Sequence, residues 1–106
     1  MPEEETDYGR LFFAHDSPRK SQKEMISDGI RVLKDGGYLL AAAPTGIGKT
    51  AAALASALRV SNLYSASSEK PKILFLTGRQ SQHRIVVDTI REINRRIPQG
   101  LSKVRL

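Results

Sequence analysis

The sequence predicts an α/β domain built on a parallel sheet, and an incomplete one. Three observations carry this reading. Apolar stretches of strand length alternate with amphipathic stretches of helix length, in the order helix, strand, helix, strand, helix. A glycine-rich turn joins the first strand to the second helix. The 106 residues supply only two strands, fewer than an independent sheet requires.

Residues 1–10 are polar and acidic and are expected to form a flexible N-terminus, with the domain running over 11–106. Ser17-Pro18 reads as a helix start, with Ser17 at the N-cap and Pro18 at the first helical position. Met25, Ile26, Gly29, Ile30 and Leu33 then recur at helical spacing and define a buried face. Asp35-Gly36-Gly37 ends that helix. Tyr38 to Ala42 is a short apolar run that suits a buried strand. From Lys49 to about Val60 the Ala/Leu-rich composition favours helix. Residues 65–71 form a polar loop, and Lys72 to Thr77 forms the second strand, closed by Gly78. Ile85, Val86, Ile90, Ile93 and Ile97 make the apolar stripe of a last helix over 81–97. Arg84, Asp88, Arg91 and Arg95 occupy its other side, and Pro98 and Gly100 stop it. Residues 101–106 are too short to assign.

Composition narrows the function classes. No apolar run approaches the roughly 20 residues that span a bilayer, and the acidic start has no signal-peptide core. The chain has no cysteine, so it holds no disulfide, thiolate metal site or Cys nucleophile. A cytoplasmic location with no membrane partner is expected. Lys and Arg total 17 against 11 Asp and Glu, for a net charge of +6. Residues 71–106 alone carry 8 basic and 2 acidic side chains, which suits either a polyanion partner or a solvated Arg-rich helix face.

One motif carries chemistry. Ala43-Pro44-Thr45-Gly46-Ile47-Gly48-Lys49-Thr50 fits the phosphate-binding P-loop, with Ala43 in place of its first glycine. Gly46 and Gly48 permit positive φ and close backbone approach, so successive N–H groups can form an anion nest. The helix that follows turns the positive end of its dipole toward the phosphates. Lys49 supplies a compact cation for the β- and γ-phosphates, and the Thr50 hydroxyl a ligand for Mg²⁺, which makes these two the catalytic candidates. Ala43 to Ala51 together form the ATP-binding segment. An ordinary glycine-rich turn would share the local pattern, but the strand before and the helix after are what a P-loop requires. His15 and His83 read as surface or capping side chains, and Asp88 as a helix-surface acid.

Three segments in this order resemble the N-terminal part of a superfamily 2 DNA helicase of the XPD type, the iron–sulfur repair helicases that include DinG-like enzymes. They are Phe12 to Gln22, the P-loop, and Ile73-Leu74-Phe75-Leu76-Thr77-Gly78-Arg79-Gln80-Ser81-Gln82. The resemblance implies a partial RecA-like P-loop NTPase fold, truncated within motor domain 1. It makes Gln22 the reader of the adenine edge, with Arg19 in support. Phe12 and Phe13 suit either base stacking or the core. Thr77, Arg79, Gln82 and Arg84 become the contacts to single-stranded DNA. Ala14-His15 stands where the family often has Pro-Tyr, and Gly78 where many relatives have Arg.

The segment with the Asp-Glu-x-His carboxylates is not in the sequence, nor is a second motor domain. The resemblance would place both, with the cysteines of an iron–sulfur cluster, beyond Leu106 in a longer parent. The remainder of that helicase chain is therefore an expected partner. In the family later strands lie between the two present here, so the 106 residues alone are expected to be unstable or molten. The function implied is the ATP-binding segment of a helicase that couples ATP hydrolysis to translocation along single-stranded DNA, the segment itself being inactive. The alternatives are another P-loop NTPase, or a non-catalytic nucleic-acid-binding remnant.

Overall fold

The computed structural model describes residues 12–41, 48–63, 72–98 and 103–106. Its described elements are three helices: α1 (Lys20–Lys34), α2 (Lys49–Leu63) and α3 (Gln80–Arg96). No strand occurs among the described residues. The parallel-sheet α/β P-loop architecture expected from the sequence is therefore incorrect, and with it the ground for expecting the 106 residues to be unstable or molten; the fold is a small helical one.

The reason lies in what a strand needs. Each backbone N–H and C=O of a sheet takes its partner from a neighbouring strand. Residues 38–41 and 72–77 form no ladder with each other or with any described segment. Their exposure still alternates with period two. Leu39, Ile73 and Phe75 are 40%, 40% and 37% exposed, whereas Tyr38, Leu40, Leu74 and Leu76 are 81–101% exposed. Strand-like side-chain alternation is present without the pairing that makes a strand.

Helix α1 begins at Lys20, later than Ser17-Pro18 suggests. Its N-cap is Arg19, at φ −72° and ψ 165°. The Gln22 side chain fixes that position, its Oε1 accepting from the Arg19 N–H at 2.9 Å. At the other end the sequence reading holds. Gly36, at φ +74°, and Gly37 donate to Leu33 O and Val32 O at 3.1 and 2.9 Å. This is a Schellman closure, and the left-handed φ is why glycine stands at 36.

Helix α2 lies between the other two. Alanine favours the helix and also keeps this element thin. On the α1 side the approach is close: a Cβ on Gly29 would lie 2.8 Å from Ser56 Oγ. The two neighbouring phenylalanines separate across α2. Phe13 joins Ile26, Ile30, Ala51, Ala52 and Ala55 in one buried cluster. Phe12 joins Leu54, Leu58, Val86, Ile90 and Ile93 in the other. Each is worth roughly 1.5–3 kcal/mol of burial, so this dipeptide ties both helix–helix interfaces together. At 3% and 1% exposure neither ring is open to stack on a base, and both belong to the core.

Helix α3 buries Val86, Ile90 and Ile93, as its stripe predicts, whereas Ile85 is 52% exposed and Leu33 of α1 is 39% exposed. Both sit at the margin of their stripes. The helix ends at Ile97, whose ψ of 131° is the extended value favoured before a proline.

Candidate nucleotide site at the start of helix α2

The residues predicted to grip a nucleotide divide into a described part and an undescribed part. Ala43, Pro44, Thr45, Gly46 and Ile47 lie outside the described residues. Gly48, Lys49, Thr50 and Ala51 form the junction into α2 and its first turn. Gly48 has φ +76°, the left-handed conformation the motif reserves for glycine. Its carbonyl accepts the Ala52 N–H at 3.1 Å, which opens the helix.

The same carbonyl also accepts from Gln22 Nε2 at 3.3 Å, across 26 residues of sequence. Gln22 is 4% exposed, and both ends of its amide are engaged, the oxygen on Arg19 N–H and the nitrogen on Gly48. The fit is close: a Cβ at position 48 would fall 2.3 Å from Gln22 Nε2. Gln22, the side chain assigned to the base by resemblance, thus sits against the last glycine of the phosphate-loop sequence. Arg19 joins it through its backbone.

The electrostatics of this junction favour an anion. The first turn of α2 contains no acidic residue, and Lys49 is its first residue. An unopposed helix N-terminus attracts negative charge. Lys49 and Thr50 are exposed and half-buried, whereas Ala51 is buried at 4% and serves packing. Thr50 offers one hydroxyl to a hard cation. Among the described residues no group of three or more His, Asp or Glu side chains could hold a metal.

The predicted DNA contacts form a separate group at the start of α3. Thr77 is half-buried; Arg79 is the exposed N-cap. Gln82 Oε1 accepts the Gly78 N–H at 3.2 Å, which gives Gln82 a turn-closing task. Arg84 is 85% exposed and lies 3.9 Å from Asp88, a weak surface pairing. Asp88 is indeed a helix-surface acid. No hydrogen bond or ion pair among the described residues joins this group to Gln22 and Gly48. Thr77 does border an open groove of about 860 Å³ between α2, α3 and the 72–77 segment. Lys72, His83, Lys103 and Arg105 also line it, and among the described residues no acidic side chain does.

Two polar devices escaped the sequence reading. Asn94 donates through Nδ2 to Val104 O at 3.0 Å and accepts from Val104 N–H at 2.7 Å. One side-chain amide thereby does for Val104 what a neighbouring strand would do, and fixes 103–106 to α3. Arg96 bridges Asp16 and Glu92, at 2.8 and 2.9 Å. Its guanidinium holds both carboxyls below their ordinary range, mainly by hydrogen bonding. Asparagine and arginine in the last turns of a helix carry no sequence signal for either task.

Comparison with protein families, with curated proteins and with solved structures finds no match. No helix among the described residues is long and apolar enough to cross a membrane.

Proposed function

We propose that the chain is the N-terminal ATP-binding segment of an ATP-dependent DNA helicase of the repair type, acting in the cytoplasm on single-stranded DNA with the rest of its helicase chain. The observation that carries this reading is the Gln22–Gly48 hydrogen bond. Two motifs that the resemblance names separately are in contact, with Lys49 and Thr50 next in sequence. In this reading residues 43–48 cradle the phosphates, Lys49 offsets their charge, and Thr50 with the phosphate oxygens ligates Mg²⁺. The Gln22 side-chain amide is of the type an adenine edge needs, with a donor and an acceptor, and in this reading it turns from Gly48 toward the base when nucleotide binds. Thr77, Arg79, Gln82 and Arg84 contact the DNA backbone, and the groove beside Thr77, lined by Lys72, Lys103 and Arg105, continues that basic surface. The reading rests on motif and local geometry and not on a sheet architecture.

Calorimetric titration with Mg-ATP tests it. The chain is expected to bind without turnover, because the water-activating carboxylates of the family are not in its sequence. Lys49→Ala is expected to weaken binding roughly 10- to 100-fold, the value of one charge-assisted contact. No binding by the unmodified chain, or equal binding by Lys49→Ala, rejects the proposal.

A further inference from the structure

The groove between α2, α3 and the 72–77 segment joins an apolar lining to a basic rim. Its volume of about 860 Å³ lies within the range of small-ligand pockets, roughly 300–1,000 Å³. Phe12, Leu58, Val86 and Ile90, all from one buried cluster, line it on the helix side. Ile73 and Phe75 line it from the 72–77 segment and keep 40% and 37% of their surface exposed. Lys72, Lys103 and Arg105 supply the rim. Their charge differs in kind from that on the outer side of α3. There Arg84, Arg91, Arg95 and Arg96 each pair with Asp88, Glu92 or Asp16. No ion pair or hydrogen bond among the described residues engages the side chains of the three rim cations. Two of the three are also held in place. Val104, between Lys103 and Arg105, packs on the same cluster and is bonded twice to the Asn94 amide.

We propose that this groove binds a small amphiphilic anion, a single acyl chain ending in a carboxylate. The chain lies along the apolar lining and the head group sits on the rim cations. Charge and polarity together select this class. The uncompensated cations call for a negative partner. The lining calls for a partner without polar edges, because a nucleobase laid against it would leave donors and acceptors unpaired. A bare polyphosphate would meet the cations but leave Ile73 and Phe75 wet. An acyl carboxylate answers both demands, in the usual manner of a pocket with an apolar body and a few polar anchors. The ligand is a free monomer, since the lining lies within a groove and not on a flat face. This inference goes beyond the nucleotide reading and stands if that reading fails.

Calorimetric titration of the whole chain with sodium dodecanoate, kept below its micelle concentration, tests the proposal. Saturation at one ligand per chain is expected, with amide shifts over 72–77 and 103–106. Decanoate is expected to bind more weakly, by about two- to fourfold for each missing methylene. Dodecyltrimethylammonium has the same chain with the opposite charge and is expected not to bind. Lys103→Glu combined with Arg105→Glu is expected to weaken dodecanoate about tenfold or more while leaving helical circular dichroism unchanged. No binding of dodecanoate, equal binding of the cationic amphiphile, an affinity independent of chain length, or an affinity undiminished by the charge reversals overturns the proposal. Binding of anionic lipid vesicles or of oligothymidylate in place of dodecanoate assigns the rim to another partner and also overturns it.

Discussion

Gly48 and Gln22 are the two residues on which the candidate site is most sensitive. Gly48 needs its left-handed φ and also lacks room for a side chain. Gly48→Ala is expected to cost about 1–3 kcal/mol, measured by denaturant unfolding. Gln22→Ala leaves the Arg19 N–H and one Gly48 carbonyl bond unmade, for about 1–3 kcal/mol. The two changes are not additive. Without the Gln22 amide the collision at position 48 disappears and only the φ penalty remains, so Gly48→Ala costs less in the Gln22→Ala chain. An additive cycle contradicts the contact. The sequence showed the need for glycine at 48 through motif spacing. It could not show that a buried glutamine adds to that need, because the pair is 26 residues apart.

At the scale of elements, the helices were readable because their apolar periodicity is intrinsic to the chain. Ile26, Ile30, Val86, Ile90 and Ile93 are buried as their spacing requires. Helix ends were less readable wherever a side chain sets them, as Gln22 does at Arg19. The tethers between elements were not readable at all. Asn94→Ala removes both bonds to Val104 and is expected to expose that amide to rapid hydrogen exchange. The Arg96 bridge ties residue 16 to α3 and brings a pH dependence of definite sign. The Asp16 and Glu92 carboxyls titrate lower in the folded chain than in the unfolded one. Their contribution is present above the unfolded values and is lost as pH falls through the lowered folded ones. Carboxyl titration by NMR should show both depressed midpoints, and Arg96→Gln should return them upward.

For the molecule as a whole, the error in fold class has a simple origin. Short apolar runs such as Tyr38–Ala42 and Lys72–Thr77 record a preference for burial, not the identity of a partner. Pairing is a long-range property, and two runs that do not bond to each other make no sheet. The structure instead gathers the helices around α2, with Phe12 and Phe13 reaching to opposite sides of it. Hydrogen exchange should therefore divide the chain, with slow amides in the middle of α1, α2 and α3 and fast ones over 72–77. Protection of 72–77 contradicts that arrangement.

The function proposed for this assembly depends on where a nucleotide binds. Amide chemical shifts followed during a Mg-ATP titration report that directly. Shifts are expected to concentrate on Gly48, Lys49, Thr50 and Ala51 and on the Gln22 side-chain amide, and Lys49→Ala is expected to suppress them. Shifts confined to the basic residues of α3, or unaltered by Lys49→Ala, would contradict it.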